Sequence, residues 1–376
     1  MEKFNYLLDT QQLRDLFEHI QSSVDTVIGP KLEQGAIGLA HLQHFSQLPR
    51  GYSEKQGAGS YQIESTNNGS FFQYSIGPQS VKKFLHPSER KLWSAKKIDK
   101  HKFEYSYEPT KSKQIAFFGI RSCDIKSLEI LDQVFLGSRV KDPHYQQLRE
   151  GVILITASCA EPSSVCFCTS MGHGPRPEAF DLNINELWSP TAHFFLLEVG
   201  SKKGEGLIKP LGFKRAEKDQ IKMADELYKH ACKKINRKLN NKGVKEKLRE
   251  NSDHPQWDHI ADRCLSCANC TMVCPTCFCS TIYDQNDLEG NHTDRWLKWD
   301  SCFNDNFSYI HGGTVRSSTK SKYRQWLTHK FSTWFDQFGS SGCVGCGRCI
   351  AWCPVGIDLT VEIPKLAEQI AEEQKI

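Results

Sequence analysis

The sequence predicts an α/β N-terminal part, a mixed or parallel sheet containing a βαβ unit, joined to a C-terminal α-helical, ferredoxin-like dicluster domain. Three observations carry that expectation. Two short apolar runs, Ile115–Ile120 and Val152–Thr156, flank a helical pattern in which Ile125, Leu128, Leu131, Val134 and Phe135 share one face. Strand, helix, strand in that order ordinarily yields a parallel pair. Eleven of the sixteen cysteines lie between Cys264 and Cys353. Within that span, Tyr323, Trp326, Leu327, Lys330, Phe331, Trp334, Phe335 and Phe338 recur at helical spacing.

The expected organisation is an α+β segment over 1–110, an α/β domain with cysteine-rich strand-end loops over 111–255, and the helical dicluster domain over 256–376. With 376 residues, 39% hydrophobic and 24% charged, the chain can bury a real core. Forty-eight Lys and Arg against 44 Asp and Glu leave +4, too balanced for a dedicated nucleic-acid binder. No apolar run reaches membrane-spanning length, and Met1–Gln12 does not resemble a secretory signal. A cytoplasmic protein without a membrane span is expected.

From the N-terminus, Thr10 is the expected cap of a helix over Gln11–Ser22, and Gly29-Pro30 is expected to end the Val24–Ile28 region. Asn67-Asn68-Gly69-Ser70 predicts a hairpin between Tyr61–Ile63 and Phe71–Tyr74. Pro87-Ser88 predicts a charged helix through Trp93, Asp124 the cap of the βαβ helix, and His193–Val199 a further strand. Residues 229–249 hold nine Lys or Arg and one acid, which fits a solvated surface or a docking patch for an acidic partner. Ile363–Gln374 predicts a terminal helix.

The chemistry concentrates in two runs. Cys264, Cys267, Cys270 and Cys274-Pro275 form a C-x2-C-x2-C-x3-C-P motif, which Cys343, Cys346, Cys349 and Cys353-Pro354 repeat. A short loop covers three corners of a cubane, and in paired-cluster proteins the fourth thiolate comes from the partner run. Hence Cys264, Cys267, Cys270 and Cys353 are assigned to one [4Fe–4S] cluster, and Cys343, Cys346, Cys349 and Cys274 to another. The small residues Ser266, Ala268, Gly345 and Gly347 let amides approach the sulfur. Structural zinc also uses C-x2-C pairs, but needs two pairs per ion, not three thiols in a row.

Cys123 and Cys159 follow the two buried strands, with Cys166-Phe167-Cys168 just beyond. In a parallel sheet those loops share the carboxyl edge, where ligands bind. A third [4Fe–4S] cluster, another redox centre or buried free thiols all fit. Cys277, Cys279 and Cys302 are weaker ligand candidates, and Cys232 stands alone. No dinucleotide fingerprint, phosphate loop or nucleophile elbow accompanies them.

Phe118-Gly-Ile-Arg-Ser-Cys-Asp124, Cys166-Phe-Cys-Thr-Ser-Met-Gly172, Cys274-Pro-Thr-Cys-Phe-Cys279 and Trp299-Asp-Ser-Cys302 resemble the β subunit of cytoplasmic sulfhydrogenases and the iron–sulfur subunit of anaerobic sulfite reductases. The resemblance runs from about Ile115 to Ile357, with Ser122 where relatives often carry Pro or Ala. It implies an iron–sulfur electron-transfer subunit, with the eight motif cysteines as ligands. It also implies two partners, one a flavin/NAD(P)H-binding subunit, the other a hydrogenase or sulfite reductase catalytic subunit. The alternative is a stand-alone reductase of sulfite or a disulfide, using the Cys123/Cys159/Cys166/Cys168 edge. The positive charge of Arg348, next to Cys349, would raise the potential of its cluster; a purely surface role is the other option. Arg348→Ala is therefore expected to lower that potential, and an unchanged or higher value in redox-titrated EPR counts against the assignment.

Overall fold

The computed structural model describes residues 5–107, 113–188 and 192–368. Its largest sheet has eight strands, in the order Lys214–Arg215, Asn5–Leu8, His193–Val199, Leu182–Trp188, Val152–Ala157, Ile115–Ile120, Thr26–Glu33 and Ala36–Leu42. The four central strands, from Leu182–Trp188 to Thr26–Glu33, are parallel. Antiparallel neighbours close both sides. The predicted βαβ unit is present, with helix Ser122–Leu136 between its strands.

Alternation along Ile115–Ile120 explains the layers. Ala116 and Phe118 enter one core with Leu13, Leu16, Phe17 and Ile20 of helix Thr10–Ser23. Ile115 and Phe117 enter the opposite core with Ile125, Leu128 and Leu131. Each of the larger side chains contributes roughly 1.5–3 kcal/mol by leaving water. Parallel pairing of the two strands sets the loops that begin at Arg121 and Ser158 side by side, at the carboxyl edge.

Several local expectations are corrected. Asp9, not Thr10, caps the first helix, in a capping box with Gln12. The strand Thr26–Glu33 continues through Gly29-Pro30, because its parallel pairing covers only Thr26–Ile28 and leaves no ladder there for Pro30 to break. The hairpin joins Tyr52–Gly57 to Ser60–Ser65; Asn68 instead closes a side-chain turn onto Ser70. Glu89–Asp99 is a strand rather than a helix. Its partner is His292–Trp299, a pairing too remote in sequence for local periodicity to reveal. The βαβ helix begins at Ser122 with Arg121 at its cap; Asp124, one turn in, accepts the Arg121 amide at 3.2 Å.

The C-terminal part is helical around one core. Helices Gln256–Arg263, Thr319–Thr328 and Leu359–Leu366 contribute Trp257, Ile260, Tyr323, Trp326, Leu327 and Ile363. Val165 and Phe167, from the loop beyond Cys159, belong to the same core. The aromatic stripe is helical as predicted, with a π-helical turn at His329–Thr333 before Trp334–Phe338. Strands Ser280–Asn286 and His292–Trp299 extend the hairpin Glu89–Asp99/Lys102–Ser106 into a four-stranded antiparallel sheet. Segments from both ends of the chain thus share a sheet.

The basic stretch proves partly internal. Lys234 pairs with Glu161, Arg237 with Asp358, and Lys245 and Arg249 with Asp336, fastening it to both halves. The final helix is Leu359–Leu366; the expected continuation to Gln374 lies outside the described residues beyond 368. Among the described residues no helix is long and apolar enough to cross a membrane.

Buried Glu186 anchors the segment that supports the sheet edge. Its carboxylate accepts the amides of Phe71 at 2.7 Å and Phe72 at 2.8 Å, and contacts His193 Nε2 at 2.8 Å. Arg121 in turn donates to the carbonyls of Phe72 and Tyr74. Glu186→Ala strands two buried amides and is expected to cost roughly 2–4 kcal/mol. A urea midpoint equal to that of the unmodified chain would contradict this anchoring role.

Candidate metal centre

The two cysteine runs fold alike. Ser266 and Ala268 have φ of 50° and 63°; Gly345 and Gly347, at the matching places, have 67° and 72°. This left-handed backbone curls each loop back on its first cysteine. The Ser266 amide donates to Cys264 Sγ and the Gly345 amide to Cys343 Sγ, both at 3.4 Å. A one-turn helix follows each loop, Asn269–Met272 and Arg348–Ala351. In the first run Ser and Ala bear the left-handed strain, on the order of 1–2 kcal/mol each. In the second, space also demands glycine: a Cβ on Gly345 would lie 2.7 Å from Cys168 Cα, and one on Gly347 2.3 Å from the Val165 carbonyl oxygen.

Across the runs, each fourth cysteine stands beside the other run's first three. Cys264, Cys267 and Cys270 line a cavity with Cys353 under the rings of Phe303, Tyr323 and Trp326. Burial lifts the Cys264 thiol, and Cys353 and Cys267 beside it add to the lift. Cys274 stands with the second run, acting on Cys343, Cys346 and Cys349. The two groups abut, since Cys349 also lines the first cavity and Cys270 is a neighbour acting on Cys349. Among the described residues, no three His, Cys, Asp or Glu side chains converge as a single ion requires.

The surroundings of Cys274 favour a thiolate. Cys277 donates a hydrogen bond to it, and Lys330 and Thr276 add to the effect, holding its pKa well below the ordinary thiol value. Lys330 is 3% exposed and sits in the π-helical turn, from which Nζ donates to Thr276 Oγ1 at 2.9 Å and the Gly342 carbonyl at 3.0 Å. Burial opposes its charge, but Cys274, Cys277 and Cys343 outweigh that and keep it protonated. Such wide turns recur where a side chain must be aimed. A second buried lysine, Lys82, whose pKa burial lowers although Cys277 and Cys274 act to raise it, donates to the Cys277 carbonyl at 3.0 Å and lies 3.9 Å over the Trp299 ring. Thiols in dry pockets, amides aimed at sulfur and the buried ammonium group of Lys330 are what anionic iron–sulfur cubanes need, so the donor set fits them.

The other predicted thiols separate into two sets. Cys123, Cys159, Cys166 and Cys168 line one further cavity, beside Arg121, Cys346 and Arg348. Cys277, Cys279 and Cys302 are not gathered in that way. Cys277 is tied to Cys274, whereas Cys302 has a pKa pushed up to about 12, first by burial and next by Cys279. Cys232 is hydrogen-bonded to Tyr228. Arg348 is not at the surface: it is 3% exposed, bonded to the Gly77 carbonyl at 2.9 Å and Asp124 at 3.1 Å. Lys82 and Arg121 have no sequence signal of their own. For Lys330 the signal was a lone cation on an otherwise aromatic helical face.

Comparison with known proteins agrees with this geometry. A family model described as a 4Fe-4S dicluster domain matches residues 263–357. The β subunit of sulfhydrogenase 2 from Pyrococcus furiosus is 32% identical over 250 residues, covering 65% of this chain and 72% of that protein. No solved structure matches.

Lys330→Met keeps most of the unbranched side chain and removes its charge. It is expected to lower the potential of the group containing Cys274 by on the order of 100 mV, the effect of one unit charge several ångströms away at an effective permittivity near 20. Redox-titrated EPR measures it, and a shift within experimental scatter would mean that Lys330 is only a packing element.

Proposed function

Because the chain belongs to the sulfhydrogenase β-subunit family, we propose that it relays single electrons between two partners, one a flavin/NAD(P)H-binding subunit, the other a hydrogenase or sulfite reductase catalytic subunit. Two [4Fe–4S] clusters, one on Cys264, Cys267, Cys270 and Cys353 and the other on Cys343, Cys346, Cys349 and Cys274, supply the one-electron chemistry.

The crossing of the fourth cysteines carries this reading. With Cys353 beside the first run and Cys274 beside the second, the chain itself fixes the two groups side by side. Amides of Ser266 and Gly345 hold the first sulfur of each run, while Lys330 and Arg348 offset negative charge around the second. Phe303, Tyr323 and Trp326 keep water from one side of the first cavity. The other side is open: Cys267 is exposed and Leu265 is 63% exposed, which supports exchange with a docked partner there. The sixteen unpaired thiols suit a reducing cytoplasm, where we place the protein.

The test separates ligand exchange from simple ligation. In the full chain prepared anaerobically, Cys353→Ser is expected to remove about four irons and leave the EPR spectrum given by Cys267→Ser, although Cys353 belongs to the other run. A spectrum matching Cys346→Ser instead would overturn the exchange. Turnover of sulfite or a disulfide by the isolated chain with an artificial donor would overturn the relay in favour of a stand-alone reductase.

A further inference from the structure

We propose that Cys123, Cys159, Cys166 and Cys168 hold a third [4Fe–4S] cluster at the carboxyl edge of the parallel sheet, with Arg121 and Arg348 as its counter-ions. The proposal rests on the relay reading and lengthens the wire.

Cys123, in the first turn of helix Ser122–Leu136, and Cys159, Cys166 and Cys168, all from the connection after strand Val152–Ala157, line one cavity. All are unpaired, and burial is the first cause lifting each above the ordinary thiol value. Single buried cysteines are common as small apolar packing groups. Four around a cavity that also contains two guanidinium groups are not packing of that kind. Arg121 is 1% exposed and Arg348 is 3% exposed. Burying such charges is costly unless something negative compensates them. Asp124, fully buried, compensates one through its 3.1 Å contact with Arg348. Glu54 is the other acid near these thiols, and burial lifts its carboxyl to about 7, so it supplies little negative charge at lower pH.

Two polar atoms remain open. Arg121 Nε and Arg348 Nη1 are buried and have no hydrogen-bond partner among the described residues. A cubane on four thiolates carries about −2 when oxidised and presents sulfides able to accept those N–H groups. Cys232, near Cys168, does not line the cavity, which leaves the quartet with four sulfurs for four irons.

The position fits electron transfer better than a purely structural ion. The Cys166–Cys168 loop is locked to the second run: the Phe167 amide donates to the Gly345 carbonyl at 2.8 Å, and the Cys166 thiol to the Cys346 carbonyl at 3.8 Å. The close approach of Gly345 and Gly347 to this loop removes any room for a side chain between them. Arg348 interacts electrostatically with both Cys123 and Cys346, so one cation serves both groups. Each transfer moves one electron from one cluster to its neighbour. The donor becomes one unit more positive, the acceptor one unit more negative, and no bond or proton changes hands.

Iron, acid-labile sulfide and zinc are counted in the full chain purified anaerobically, with Mössbauer spectra of the unmodified protein. About twelve irons and twelve sulfides are expected. Cys159→Ser and Cys166→Ser should each lower both counts by a third, while the EPR signals abolished by Cys267→Ser and Cys346→Ser persist. About eight irons and eight sulfides in the unmodified chain would overturn the third cluster and leave the relay standing. One zinc per chain alongside eight irons would also overturn it. A chain with no iron at all would sink the relay reading as well. Because the unmodified protein already distinguishes these results, a variant that fails to fold does not rescue the idea.

Discussion

A cubane has four corners to ligate, and a tight C-x2-C-x2-C loop can reach only three of them. Much of the C-terminal architecture follows from that shortage. The fourth sulfur must come from a distance, and here each run sits where it can lend its last cysteine to the other. Such lending only works if the two loops are held in fixed relation. The helices between and after them, packed through Trp257, Tyr323, Trp326 and Ile363, provide that hold. The equivalent left-handed residues at 266/345 and 268/347 show that the local solution was used twice. The differences lie in the neighbours. The second run is pressed against another backbone, and there both left-handed positions are glycine.

Charge is the second consequence. Thiolates gathered out of water repel one another and lose hydration, so bare sulfur ligands favour the protonated form, as the lifted thiols around both runs indicate. Lys330, Arg121 and Arg348 are all at most 3% exposed and all stand near cysteines. A buried cation without a partner would be strongly destabilising. Grouped with thiolates, each cation offsets what the sulfurs cost and is itself offset by them. The π-helical turn belongs to this logic: it brings Lys330 to Thr276 and Gly342, and so to Cys274, while Phe331 and Trp334 remain in apolar clusters.

The sequence made some parts of this legible and hid others, for physical reasons. The βαβ unit was visible because both strands are buried on two faces and so are continuously apolar. The cysteine runs were visible because cluster ligation tolerates little change in spacing. The strand Glu89–Asp99 was not visible: it is charged, and one of its two neighbours in the sheet comes from residues about two hundred positions later. The cap of the first helix was displaced by one residue because Asp9 and Thr10 are both competent caps, and only the Gln12 side chain decides between them. Arg121 and Lys82 escaped notice because a lone cation in a sequence is ordinarily at the surface. What marks them is burial, which no single sequence displays.

The adjacencies also give the cysteine groups an order. The first run touches the second through Cys270 and Cys349. The second reaches the strand-end thiols through Cys346, which neighbours Cys123 and Cys166. The second run is therefore central, and it is also the one enclosed by Lys330, Arg348 and the glycine contacts. The first run is nearer to solvent, through Cys267 and Leu265. The strand-end thiols belong to the edge of the large sheet. This arrangement gives the α/β part a purpose that a free-standing dicluster domain would lack. Its parallel strands form a rigid mount from which the Cys123 and Cys159 loops meet the central run. The shared four-stranded sheet and the ion pairs of residues 234–249 keep the two parts from sliding against each other. One-electron hopping falls off steeply with separation, so the proposed relay is best built where the backbone cannot move, and the interlocked glycines would place that immobility in the middle of its path.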